Sequence, residues 1–237
     1  MSEEFTPSLD AVARSKICAR NYLDKEVPND VIEHLLKVAT GGPYKQGRRW
    51  LDVYAITDQE MISKLYLETA RPDEENALAA MPKVNKNTGE PMTFIGNAQV
   101  LAPVLFALVR PNAPTPEYPD EDFWDPTDEE KREEEGMNVL FAVGSTMGLL
   151  VYEANRLGLH AGNCVCFDQG NVSNIIKQVA KTDDFDTVEL MIGVGYPQLE
   201  WSSQAAEQMR EHPIAEGHNY QPPHHTERDN PKYFIIN

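Results

Sequence analysis

A chain of 237 residues with 41% hydrophobic and 25% charged residues has the make-up of a soluble globular protein able to bury a substantial core. Its net charge of −17 disfavours nucleic acid as a partner, since phosphate binding needs a concentrated basic surface and none is visible. Three cysteines, an odd number, argue against a disulfide framework and for a reducing compartment. The opening "MSEEFTPSLDAV" is acidic and polar, without the apolar stretch of a secretory leader, so the expected location is the cytoplasm.

In chain order, residues 8–22 predict a helix, with Ser8 and Asp10 offering cap chemistry. A second helix starts at Pro28 with Asn29 or Asp30 as cap, and Val31, Ile32, Leu35, Leu36 and Val38 form its apolar face. "GGPYKQGRR" breaks that helix, "WLDVYAIT" alternates as a strand does, and Asp58 caps the helix that follows. Residues 73–97 are polar and turn-rich. "AQVLAPVLFALVRP" predicts a buried central strand. The segment 116–135 is strongly acidic and reads as a solvated loop and helix start, although Phe123 and Trp124 within it are large enough to cover a pocket or a partner.

"GMNVLFAVGSTMGLLVYEANRLGLH" is apolar on nearly all sides and dotted with Ala142, Gly144, Ser145 and Gly148, which predicts a buried helix closely approached by neighbours. Asn138, Ser145, Thr146 and Glu153 interrupt it, so it makes a poor membrane span. "GNCVCF" predicts a buried strand, "NVSNIIKQVA" a helix with Asn171 or Ser173 near its start, and "TVELMIGVGYP" a closing strand. The tail, 198–237, is polar and rich in proline and histidine before the apolar "YFII". The order of elements is α+β, within one domain over 1–237 that carries an acidic insertion at 111–135 and a C-terminal extension at 198–237.

Three segments together resemble the flavin-dependent nitroreductase family. They are "KICARNYLDKEVPNDVIEHLLKVAT", "MGLLVYEANRLGLHAGNCVCFD" and "ELMIGVGYP", in the family's order and spacing over roughly residues 10–200. The resemblance implies a mixed sheet flanked by helices in an intertwined homodimer, with one FMN in each of two interface pockets. Lys16, Cys18 and Arg20 stand where the family has a basic residue, a serine and a second basic residue. Four apart, Lys16 and Arg20 would share one helical face and converge on the phosphate or the flavin ring. Cys18 departs from the pattern, because a thiol is a weaker donor than a hydroxyl.

The loop "GGPYKQGRRW" departs further. Aligning Trp50 with the family tryptophan puts Gln46 at an asparagine and Arg48 at a glutamine. Both can hydrogen-bond, and Arg48 could stabilise negative charge on the reduced flavin; the plainer reading makes Arg48 and Arg49 a solvated pair. Among basic residues after the G-Y-P strand, Arg228 is preferred over Arg210 for closing the phosphate site.

Cys164 and Cys166 lie on one face if "GNCVCF" is a strand. A zinc site with the histidines of "HPIAEGHNYQPPHH", a strained disulfide, and two small buried hydrophobes are all readings of the residues. The resemblance adds another, in which Asn163, Cys164, Val165 and Cys166 run along the redox edge of FMN and act through backbone N–H groups.

By that resemblance the activity is ping-pong. NADH or NADPH reduces FMN, and a nitroaromatic, quinone or related small-molecule acceptor reoxidises it, with Phe123 and Trp124 covering the substrate. No catalytic side chain is required, and no metal, membrane or nucleic acid is expected. Two alternatives stay open: a dimer of the same fold that has weak or lost flavin chemistry and serves as a binding scaffold, and a flavoprotein with a specialised reaction.

Overall fold

The computed structural model describes residues 11–12, 14–15, 18–20, 22–44, 49–69, 97–112 and 129–197, with side chains from residue 135 onward in the last stretch. Four strands form one sheet: β1 (Asp52–Ile56), β2 (Val104–Pro111), β3 (His160–Cys164) and β4 (Phe185–Gly195), in the order β1-β2-β4-β3. Where the resemblance implies a mixed sheet, every pairing among the described strands is antiparallel, each strand running opposite to its neighbour. Four helices of five residues or more flank it among the described residues: α1 (Asn29–Thr40), α2 (Gln59–Leu67), α3 (Glu129–Arg156) and α4 (Gln169–Ala180). Pro111 therefore closes β2 and residues 129–135 open α3, at the two ends of the expected insertion.

The sheet separates two cores, and period-two alternation along β2 sorts its side chains between them. Val104, Phe106 and Leu108 face the core built by α1 and α3, with Trp50, Leu190, Ile192 and Val194. Leu105, Ala107 and Val109 face the core built by α2 and α4, with Ile62, Leu65, Val172, Ile176 and Phe185. Buried on both faces, β2 is the central strand that its continuous apolar run predicts.

Local chemistry sets the helix starts. Asp58 accepts hydrogen bonds from the N–H groups of Glu60 and Met61 at 2.9 and 3.1 Å, as expected of a cap. Two other caps differ from expectation. Pro28, not Asn29 or Asp30, precedes α1, and its carbonyl accepts the first helical bonds from Val31 and Ile32. Asp168, rather than Asn171 or Ser173, caps α4 by accepting from the Asn171 N–H at 2.8 Å. The apolar face of α1 is as expected in spacing, with Ile32, Leu35 and Ala39 buried and Val31 and Leu36 packed at its margin.

The helix α3 differs from its expected full burial. Asn138, Val139, Ala142, Thr146 and Leu150 point into the protein, while Met137, Leu140 and Phe141 are exposed, the last two by 65% and 68%. Gly144 and Gly148 lie along the same exposed stripe, with nothing within 4 Å of where a Cβ would stand. The 135–156 part is long and apolar enough to cross a membrane. One side of that apolarity is accounted for by packing on the sheet and α1.

An ion cluster ties α3 to α1. Glu153, nearly buried, accepts from His34 Nε2 at 2.6 Å and from Arg156 Nε and Nη2 at 2.7 and 2.6 Å. Hydrogen bonds from Arg156, against burial and with help from His34, hold the Glu153 carboxyl at about 2 instead of the ordinary 4.5. A depressed carboxylate stabilises the fold above its unfolded pKa, and that contribution is lost as pH falls from about 4.5 through about 2. Because both partners are about half exposed, solvent screening reduces the effect to roughly 1–2 kcal/mol. Glu153→Gln should lower the urea midpoint at pH 7 and flatten its decline below pH 4.5; an unchanged pH profile would show that the cluster contributes nothing.

Candidate functional site

The expected site residues Lys16, Gln46, Arg48, Phe123, Trp124 and Arg228 lie outside the described residues. The remainder, Cys18, Arg20, Asn163, Cys164, Val165 and Cys166, converge at the C-terminal end of β3.

The first helix is shorter than the sequence pattern predicts. Ala11, Val12 and Arg14 are helical and Ser15 is in a turn, but Cys18, Ala19 and Arg20 are not helical. The Ala19 N–H donates to the Ala161 carbonyl on the outer edge of β3 at 2.9 Å. A sheet edge needs donors for its carbonyls, and this demand overrides local helix propensity. Arg20 therefore does not share a helical face with Lys16. Its Nη1 donates to Gln99 Oε1 at 3.2 Å.

Gln99 was invisible in the sequence because it sits in an apolar run expected to be strand from Ala98 onward. Instead Ala98–Val100 is a single 3₁₀ turn and β2 begins at Val104. Asn97 and Gln99 are each only 4% exposed. Gln99 Nε2 donates to the Asn163 carbonyl at 3.1 Å, and Asn97 Nδ2 donates to the Cys166 carbonyl at 2.9 Å. The turn lies on a floor of glycine. Gly162 and Gly193 face each other across β3 and β4, and a Cβ on Gly193 would stand 1.9 Å from the Gln99 carbonyl oxygen. Tyr22 seals the floor, its hydroxyl donating to the Gly193 carbonyl at 3.0 Å. Burial pushes that hydroxyl's pKa well above its usual value, so it stays a donor.

The two cysteines of "GNCVCF" do not share a face. The strand β3 ends at Cys164, which is buried against α2 and α4, while Cys166 lies beyond it and is exposed. The chain must leave the sheet here to reach the Asp168 cap of α4, and this breaks the alternation. Burial pushes the Cys164 thiol up to about 12, which removes it as a nucleophile near neutral pH. It donates weakly to the Cys166 carbonyl at 3.7 Å, and Cys18 Sγ donates to the Asn163 carbonyl at 3.8 Å. Each carbonyl thus receives one side-chain amide and one thiol. Between them Val165 is 70% exposed.

Asn163 points to the α3 side, with Nδ2 3.3 Å from Met147 Sδ and with Oδ1 buried and lacking a hydrogen-bond partner among the described residues. The glycine loop after α1 is tied to the same helix, since the Tyr44 and Thr146 hydroxyls are 2.9 Å apart. Trp50 is buried in the core, and Arg49, expected to be solvated, forms a two-pronged ion pair with Asp52.

The Nitroreductase family model matches residues 13–196, which span β1–β4 and α1–α4. The chain belongs to the nitroreductase family. Solved nitroreductase-family structures share its fold. One from Streptococcus pneumoniae is 16% identical, with 82% of this chain and 92% of that one covered and a TM-score of 0.52. Nitroreductase A from Vibrio parahaemolyticus is 10% identical over 87% and 75% of the two chains, with a TM-score of 0.53. The NADPH:FMN oxidoreductase from Vibrio harveyi is 9% identical over 81% and 70%, with a TM-score of 0.54. A search of curated proteins found no significant match.

Proposed function

We propose that this nitroreductase-family chain is an FMN-dependent oxidoreductase. It takes reducing equivalents from NADH or NADPH and passes them to a nitroaromatic, quinone or related acceptor. The observation that carries the reading is the convergence of Arg20, Asn163 and the exposed Val165–Cys166 backbone at one end of β3. Family membership and the likeness to an NADPH:FMN oxidoreductase support it.

The donor set fits a planar, polar-edged group with an anionic tail. Arg20 supplies a permanent positive charge with directional N–H groups. Asn163 Oδ1 is a buried acceptor without a partner among the described residues, a state that costs about 1–3 kcal/mol unless a further group supplies a donor. Lys16 and Arg228 are assigned to the phosphate, Gln46 and Arg48 to the pyrimidine edge, and Phe123 and Trp124 to covering the acceptor. FMN, when bound, supplies the hydride and electron chemistry. The chain's own part is to bind, orient and exclude water: Val165 and Met147 offer apolar surface, Val165 and Cys166 offer backbone N–H groups, and no side chain needs to move a proton.

The exposed stripe Met137, Leu140, Phe141, Gly144 and Gly148 supports a homodimer packed across α3. An apolar stripe at helical spacing suits a second helix, and glycines permit close approach.

Arg20→Ala should raise the FMN dissociation constant about 10- to 100-fold, the worth of a charge-assisted hydrogen bond of roughly 1.5–3 kcal/mol. Quenching of FMN fluorescence on adding apoprotein reads this directly. Equal affinity in wild type and variant would remove Arg20 from the site.

A further inference from the structure

The turn at 97–99 holds three parts of the proposed site. Gln99 Oε1 receives Arg20, Gln99 Nε2 holds the Asn163 carbonyl, and Asn97 Nδ2 holds the Cys166 carbonyl. We infer that Asn97 and Gln99 form a brace that sets the flavin-facing edge 163–166 and the Arg20 guanidinium in one fixed relation before cofactor binds. This rests on the FMN reading above and deepens it.

The geometry favours positioning over mere filling. A buried apolar side chain would fill the same space, but it would leave the carbonyls of Asn163 and Cys166 with only the weak thiol donors of Cys18 and Cys164. The turn itself has no room to shift. Gln99's Cβ lies 2.6 Å from where a Cβ of Gly162 would stand, and its carbonyl oxygen lies 1.9 Å from that of Gly193. Asn97 is tied down separately, its N–H donating to Thr69 Oγ1 at 2.8 Å and its Nδ2 lying 3.4 Å from the Thr69 carbonyl. Both amides therefore hang from a backbone that packing holds in place. Gln99 grips Asn163 within the β3–β4 ladder, and Asn97 grips Cys166 just past its last pair at Cys164, so the two amides hold both sides of the strand's end. A binding edge that is already ordered spares the ligand the entropy of ordering it, which favours affinity.

Gln99 also separates two functions by its two ends. Gln99→Met keeps the length but removes both bonds. Gln99→Glu keeps an acceptor for Arg20 and loses the donor to Asn163, while adding negative charge beside Arg20.

The test uses the full chain, with FMN as the probe. Fluorescence quenching gives the dissociation constant, circular dichroism reports folding, and the flavin midpoint potential is measured at saturating FMN. Wild type should bind FMN. Gln99→Met should stay folded and bind at least 10-fold more weakly, and Gln99→Glu should also bind more weakly and shift the potential to more negative values. Gln99→Glu shifts the potential through its own charge, so the readout that a packing role would leave unmoved is a shifted potential in Gln99→Met, which adds no charge. If Gln99→Met does not fold, Gln99→Glu decides alone. Wild-type affinity and potential in a folded Gln99 variant would overturn the brace and leave the FMN reading standing. Failure of wild type itself to bind FMN would overturn the FMN reading, and the brace with it.

Discussion

Gly193→Ala is expected to destabilise the protein by about 3 kcal/mol or more, the upper end of what overpacking a core costs and a large part of the stability of a typical domain. The reason is spatial. Gly193 sits in β4 between Leu105 of β2 and Gly162 of β3, so its backbone is held on both sides. A Cβ there would lie 1.9 Å from the Gln99 carbonyl oxygen and 2.9 Å from the Ala102 Cβ. Backbone cannot swing aside as a flexible side chain can, so either the 97–99 turn or the strand must move. Gly170→Ala makes the contrast. Its Cβ would meet only the Asp168 carboxylate, at 3.5 Å, on helix α4, so little change or slight stabilisation is expected. Urea unfolding of the two variants beside wild type checks the order. A Gly193→Ala midpoint equal to that of Gly170→Ala would mean that the turn does not rest on the sheet as described.

The second large effect is expected on assembly. Wild type should be a dimer, and the double variant Leu140→Glu/Phe141→Glu a folded monomer. Each side chain is more than half exposed in the protomer, so its loss leaves the protomer's own core intact. In a two-fold dimer each substitution acts twice, and four buried apolar side chains at roughly 1.5–3 kcal/mol each amount to about 6–12 kcal/mol. That is several orders of magnitude in dissociation constant, before the cost of burying carboxylates is added. Light scattering coupled to gel filtration reads the mass, and circular dichroism checks the fold. A monomeric wild type at micromolar concentration, or an unaltered mass in the variant, would contradict the assignment of this stripe to a dimer.

Much of the fold was legible because short-range rules determine it. The helical spacing of Ile32 and Leu35 marks the buried face of α1, which Ala39 extends in place of the expected Val38; Asp58 caps α2, and the unbroken run Val104–Val109 marks a strand covered on both sides. Of the expected site residues, Arg20 and the segment 163–166 lie together at the end of β3. What escaped depends on distant partners. Gln99 acquires its role from Arg20 and Asn163, 79 and 64 residues away, and nothing beside it in the chain announces that. The stretch through Cys18 to Arg20 has helical character, but the open edge of β3 claims it. In α3 both sides are apolar for different reasons, one packed on the sheet and one left exposed. Composition alone does not distinguish a side buried within the chain from one available to a second copy.

Whether the protein binds FMN and passes electrons through it is read by absorbance. The purified full-length protein, incubated with FMN and freed of excess, is recorded from about 300 to 550 nm before and after anaerobic addition of NADH and then NADPH. The expected result is a retained flavin spectrum that bleaches with one or both nucleotides and returns when a quinone or nitroaromatic acceptor is added. A protein that retains no flavin after this incubation would contradict it, and would leave the nitroreductase fold here as a scaffold without flavin chemistry.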